Sequence, residues 1–201
     1  METEYGRLNS LLLVIPWALV GVRLALAPTV VLFAEHRIQG LAMALAVVAA
    51  LASDIYDGIL ARKLGVATTA LRRADSIVDT IFYLSAAWSA WITAPSTVRS
   101  VAKLLIALGV LEISRYVFDY LKFRREASYH SYLAKLWGLV LASALVMLLA
   151  FNVSGWLLRT ALWLGIASDI EGLGISFLLP AWAHDVRSIL HAHRLRKAIA
   201  H

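Results

Sequence analysis

Asp54-Ile55-Tyr56-Asp57-Gly58-Ile59-Leu60-Ala61-Arg62, followed by Asp75-Ser76-Ile77-Val78-Asp79, sets four aspartates within 26 residues of a strongly apolar chain. At about 100° per residue, Asp54, Asp57, Gly58, Ala61 and Arg62 fall within an arc of roughly 140° on one helix. Asp75 and Asp79, four residues apart, share a stripe on the next helix. Two such helices facing one another would aim four carboxylates at one point. Carboxylates at membrane depth are costly and mark functional sites, and hard divalent cations prefer their oxygens.

The surrounding composition sets the fold class. Of 201 residues, 61% are hydrophobic and 16% charged, with a mean hydropathy of +0.75, well beyond the range of soluble domains. About 20 mostly apolar residues span a bilayer as a helix. Six such spans can be read, near 11–34, 38–61, 73–94, 98–122, 131–151 and 155–182. The connections are short, so the expectation is an all-α polytopic membrane protein in a single domain, residues 1–201, with about six transmembrane helices. Ala25-Leu26-Ala27 resembles a signal-peptide cleavage site. Arg23 interrupts that apolar run and Pro28 follows the site directly, so the segment is read as retained. There is no cysteine, hence neither a disulfide framework nor a thiolate metal site.

The net charge of +6 does not point to nucleic acid, because the basic residues follow topology. With the amino terminus inside, 13 of the 19 Lys and Arg lie on the inner side, among them Arg7, Arg62, Arg72, Arg73, Lys122, Lys135 and Arg194. That bias puts both termini and the Asp54–Asp79 segment at the cytoplasmic face. Trp88, Trp91 and Trp156 fall near outer helix ends, as in an interfacial belt. Gly65 is a helix stop and Thr68 or Thr69 an N-cap between the two acidic helices. Pro95-Ser96 and Asn152 to Gly155 break the chain on the outer side. The tail from Asp185 to His201, with Arg187, His191, His193, Arg194, Arg196 and Lys197 among Leu190, Leu195 and Ile199, reads as an interfacial helix on anionic headgroups or as a solvated basic tail.

Two cations about 3.5–4 Å apart can clamp a phosphoryl group between attacking and leaving oxygens, and four aspartates on two helices suffice to hold such a pair. Gly58 and Ala61 would let a nucleotide approach the backbone, and the Arg62 guanidinium suits phosphate. The plainer alternative pairs these acids with Arg62, Arg72 and Arg73 at the membrane surface.

The motif resembles the signature of the CDP-alcohol phosphotransferases (CDP-alcohol phosphatidyltransferases), D-x2-D-G-x2-A-R-x8-G-x3-D-x3-D. Seven of its eight fixed positions match in register; Leu71 stands where the pattern has its second glycine. The resemblance implies transfer of a phosphatidyl group from a CDP-linked lipid, usually CDP-diacylglycerol, to a small alcohol, with release of CMP. It implies Mg2+ or Mn2+ in a two-metal site, with Asp54, Asp57 and Asp75 as ligands. Asp79 would touch a metal and act as general base. Gly58, Ala61 and Arg62 would line the CDP site. It also implies a homodimer and a place in phospholipid biosynthesis in the bacterial inner membrane. Leucine at position 71 would narrow the nucleotide site, which leaves open a non-catalytic relative.

Other polar residues lie within the spans. Glu112, Arg115 and Asp119 face one way on the fourth span, either as a self-neutralising network or with Arg115 and Lys135 holding a phosphate on the acceptor. Basic residues near the cytoplasmic face favour a phosphorylated acceptor such as glycerol 3-phosphate. Asp169 and Glu171 sit deep in the sixth span and call for polar partners; His130 lies beside the fifth; Arg23 would have to face the bundle interior, towards the acidic site. A carboxylate-lined cation or proton transporter is the rival class, although such proteins often carry paired repeats and broken helices that this chain lacks.

Overall fold

A computed structural model describes the backbone of residues 2–125, 129, 131–153, 155–183 and 186–199, with side chains from Val14 to Lys197. His130, Asp185, His201 and the side chain of Arg7 lie outside the described residues. Every regular element among those described is helical, as expected for an all-α chain.

The helices are α1 (Glu2–Glu35), α2 (Leu41–Lys63), α3 (Thr69–Thr93), the short α4 (Pro95–Ser100), α5 (Ala102–Phe123), α6 (Tyr132–Leu145), α7 (Trp156–Leu178) and α8 (Ile189–Ile199). A π-helical turn, Val146–Ala150, continues α6. Four segments are both long and apolar enough to cross a membrane: Val14–Glu35, Leu41–Lys63, Tyr132–Ala150 and Trp156–Leu178. α3 and α5, at 25 and 22 residues, have the length but interrupt their apolar surface with charges. Those charges are Arg72, Arg73, Asp75 and Asp79 in α3, and Lys103, Glu112, Arg115, Asp119 and Lys122 in α5. Large apolar side chains stand exposed along the helices, including Leu41, Leu84, Ile106, Leu121, Trp156 and Phe177. A surface so rich in exposed apolar groups is matched to lipid rather than water, and the protein is an integral membrane protein.

The chain forms two compact units, residues 1–95 with 145–153, and residues 96–144 with 154–201. In the first, α1 packs on both α2 and α3, and the π turn packs on α2. Gly40, with φ of 73°, starts α2 and donates its N–H to the Ala150 carbonyl in that turn at 2.7 Å. Small residues of α2 (Ala44, Ala46, Ala50) are buried there, the side-chain size that lets membrane helices approach closely.

The α2–α3 turn is specified by its sequence. Gly65 adopts φ of 70°, its N–H bonds to the Arg62 carbonyl at 3.3 Å, and the Val66 N–H bonds to the Ala61 carbonyl at 2.9 Å. This paired pattern is the Schellman stop, which favours glycine at its left-handed position. Three residues later the Thr68 hydroxyl accepts the Leu71 N–H at 3.2 Å and caps α3. Stop and cap together fix where the acidic ends of α2 and α3 meet.

In the second unit α5 packs on α7, and α7 on α8. Ile175, Leu179, Val186 and Ala192 form its buried apolar cluster, so α8 docks by one face. Leu190, His193, Arg194, Arg196 and Lys197 remain exposed, the amphipathic pattern expected of the basic tail.

Candidate functional site: four carboxylates around one guanidinium

The acidic residues of α2 and α3 converge, and the cation among them comes from α1. Arg23, 1% exposed, reaches all four carboxylates. Its Nη1 lies 3.2 Å from Asp54 Oδ1 and 2.8 Å from Asp75 Oδ1, and also bonds Asp79. Its Nη2 bonds Asp57. Its Nε donates to the Ser53 hydroxyl at 3.4 Å, which in turn donates to the Ala50 carbonyl at 2.7 Å. Every donor edge of the guanidinium thus meets an oxygen, the condition under which a buried charge is tolerated.

Asp57 is buried, while Asp54, Asp75 and Asp79 are partly exposed, so the cluster opens on one side. One carboxylate oxygen from each of Asp54, Asp57 and Asp75 can be chosen so that all three lie within 4.8 Å of one another. A set of hard oxygen donors at that spacing suits a divalent cation such as Mg2+ or Mn2+. The residues present therefore fit the metal that the motif implies. Asp79 joins the cluster through their shared arginine.

The remaining motif residues flank the acids. The Arg62 guanidinium folds back over Gly58: a methyl group at position 58 would lie 3.4 Å from Arg62 Nη1. Arg62 is exposed, whereas Ala61 is buried. Ala61 packs with Leu71, Val20 and Val78 in an apolar cluster, with Val66, Ala67 and Ala74 against it. Leu71 is only 4% exposed and turns its side chain into that core. Arg72 donates to the Ala67 carbonyl at 3.1 Å.

Arg115 and Lys135 belong to the second unit. Arg115 Nη1 lies 3.0 Å from Asp169 Oδ1, and its Nη2 lies 3.0 Å from Glu112 Oε1. Of the network expected along α5, Glu112 and Arg115 pair, and Arg115 also forms an ion pair with Asp169, whose oxygens, like Asp119 Oδ1, have no hydrogen-bond partner among the described residues. Gly172 leaves the room, since a methyl there would come within 2.9 Å of Arg115 Cδ. Asp119 is buried on the same helix, and Glu171 Oε2 has no hydrogen-bond partner among the described residues. Lys135 is exposed.

From sequence, Arg23 carries one signal, a lone arginine in an apolar span that must face inward; its place at the centre of the acids needed the fold. No curated protein and no solved structure matches the chain. The family model for CDP-alcohol phosphatidyltransferases matches residues 13–167, a stretch that holds the whole acidic motif and Arg23. The chain belongs to the CDP-alcohol phosphatidyltransferase family.

Proposed function

We propose that this protein transfers the phosphatidyl group of a CDP-linked lipid, such as CDP-diacylglycerol, to a small alcohol and releases CMP. The family supports the coarser statement, transfer of a phosphatidyl group from a CDP-alcohol to an acceptor alcohol. The observation that carries the reading is the convergence of Asp54 and Asp57 from α2 with Asp75 and Asp79 from α3. A transporter would need no nucleotide-binding flank, the role that this reading gives to Gly58 and to the Arg62 guanidinium lying over it.

In this reading Asp54, Asp57 and Asp75, with Asp79, would hold Mg2+ or Mn2+, which when bound would supply positive charge to offset that of the pyrophosphate and of the departing CMP. Gly58 and Ala61 keep side-chain bulk away from the cytidine nucleotide, and Arg62 offers a planar pair of donors to its phosphate. Asp79 takes the proton from the acceptor hydroxyl as that oxygen forms a bond to the lipid-side phosphorus. The bond from that phosphorus to the bridging oxygen breaks, and the bridging oxygen departs with CMP.

The acceptor we favour is glycerol 3-phosphate, a small phosphorylated alcohol suited to a basic cytoplasmic face. Of the two cations named for it, Lys135 is exposed, whereas Arg115 is engaged by Glu112 and Asp169. Lys135 is therefore our first choice for the acceptor phosphate. The whole chain acts as one domain, a reading supported by a family match that runs through residues of both compact units. We place it, as a six-span homodimer, in a bacterial inner membrane with both termini and the acids on the cytoplasmic side, following the distribution of Lys and Arg. Exposed Trp88, Trp91 and Trp156 suit the interfacial belt of such a protein.

The test is to incubate purified protein with CDP-diacylglycerol, Mg2+ or Mn2+ and a panel of small alcohols, and to identify the lipid formed. Metal-dependent CMP release with a new phospholipid is expected, largest for glycerol 3-phosphate. Absence of CMP release with every acceptor would overturn the proposal.

A further inference from the structure

Arg23 lies outside the eight-position motif, yet it pairs with all four of its aspartates. Three of the four meet the same nitrogen, Nη1, and the fourth meets Nη2. Counted formally as carboxylates, the four acids outnumber the single guanidinium by three charges. One arginine therefore holds the acids together without neutralising them. It also spends its donors on the carboxylate oxygens that a divalent cation would need, and it carries the same sign of charge as that cation. Two cations sharing these oxygens repel each other.

We propose that Arg23 is the resting counter-ion of the acidic cluster and that a divalent cation binds by exchange, displacing the guanidinium from Asp54, Asp57 and Asp75. The inference rests on the reading of this cluster as the cation site. Arg23 is a positioning residue. Without a metal it keeps four like charges converged on the α2–α3 face, at the cost of weakening the affinity of the site for the ion. Loading then becomes a contest between one tethered monovalent cation and a free divalent one. Exchange of this kind lets the cluster stay assembled between turnovers.

The experiment uses Mn2+ alone, with no CDP-lipid. Free Mn2+ is measured by electron paramagnetic resonance as it is titrated into the detergent-solubilised wild type, Arg23→Gln and Arg23→Lys. Thermal unfolding of each is followed in EDTA and in saturating Mn2+. Glutamine keeps hydrogen-bond donors but no charge, so Arg23→Gln should bind Mn2+ at least tenfold more tightly than wild type. Its melting temperature in EDTA should fall by several degrees, and Mn2+ should restore most of the loss. Arg23→Lys, a point charge that cannot span four carboxylates, should bind Mn2+ with an intermediate affinity. If Arg23→Gln fails to fold, tighter binding by Arg23→Lys decides in favour of exchange. Folded variants that bind Mn2+ no more tightly than wild type would overturn the exchange while leaving the cation site standing. Wild type that binds no Mn2+, or whose binding survives Asp54→Asn combined with Asp57→Asn, would remove the cation site itself and the exchange with it.

Discussion

Leu71 and Ala61 share one buried apolar cluster, completed by Val20 and Val78. Leu71 occupies the motif position at which glycine would leave space beside the nucleotide, and Ala61 is one of the small residues assigned to that space. The leucine fills the core beneath the α2–α3 turn, where glycine would leave a void. Removing a buried leucine side chain costs about 2–5 kcal/mol, and glycine within a helix costs about 1 kcal/mol more than alanine. Leu71→Gly should therefore lower the melting temperature clearly while leaving turnover per folded molecule within about twofold. A large gain in CMP release from a near-silent wild type would show instead that Leu71 blocks the nucleotide, and would favour the non-catalytic reading.

Asp79 differs from its three neighbours in standing outside the trio whose oxygens lie within 4.8 Å of one another. In the reading proposed above, Asp79 would complete the cation site and also take up the proton of the acceptor hydroxyl. General-base catalysis contributes typically 10²–10⁴-fold, so Asp79→Asn should reduce transfer by about that factor. Its fold and its binding of CDP-lipid should be largely retained, because Asp54, Asp57 and Asp75 remain. Steady-state CMP release and CDP-lipid binding, measured on the same preparation, check this. Full turnover by the variant would exclude Asp79 as the base.

The acidic half of the site was legible because helical periodicity alone puts Asp54 with Asp57 and Asp75 with Asp79. The turn that joins them was legible too: Gly65 and Thr68 carry local stop and cap chemistry that depends on few distant contacts. Arg23 was legible only as a charge that had to face inward. Its partners lie between 30 and 56 residues away, and no local rule selects which face of α1 meets α2 and α3. The apolar packing of Leu71 was hidden for a related reason. Its spacing puts it on the Asp75 stripe, but the first turn of α3 also borders Val20 of α1, and the side chain follows that apolar neighbour. The span count was the least secure reading, since charged residues on α3 and α5 interrupt the hydropathy on which it depends.

Asp169 has no exposed surface, and the Arg115 guanidinium sits 3.0 Å from its carboxylate. Breaking a buried ion pair by removing one partner costs about 3–5 kcal/mol, whereas replacing both by apolar residues of similar volume is often neutral. Arg115→Ala should therefore destabilise the protein strongly, and Arg115→Met combined with Asp169→Leu should recover most of the loss. Thermal unfolding in detergent measures both. Acceptor KM separates this structural role from phosphate binding: it should stay unchanged in the double variant and rise about tenfold in Lys135→Ala. A raised KM in the double variant would return Arg115 to the acceptor site.

Among the described glycines of the second unit, Gly165 leaves the least room for a side chain. A methyl group there would come within 2.8 Å of Trp137 Nε1 and 2.9 Å of Leu108 Cδ1, and real side chains do not approach so closely. Relief requires the Trp137 and Leu108 side chains or their helices to shift, and overpacking of this kind costs typically 1–3 kcal/mol. The absence of a side chain at Gly165 makes room for the Trp137 indole of α6 and for Leu108 of α5. Gly165→Ala should lower the melting temperature by several degrees, and Trp137→Leu, which removes the opposing ring, should lessen that penalty in the double variant. Equal melting temperatures for wild type and Gly165→Ala would mean that α7 does not pack this closely against α6 in the membrane.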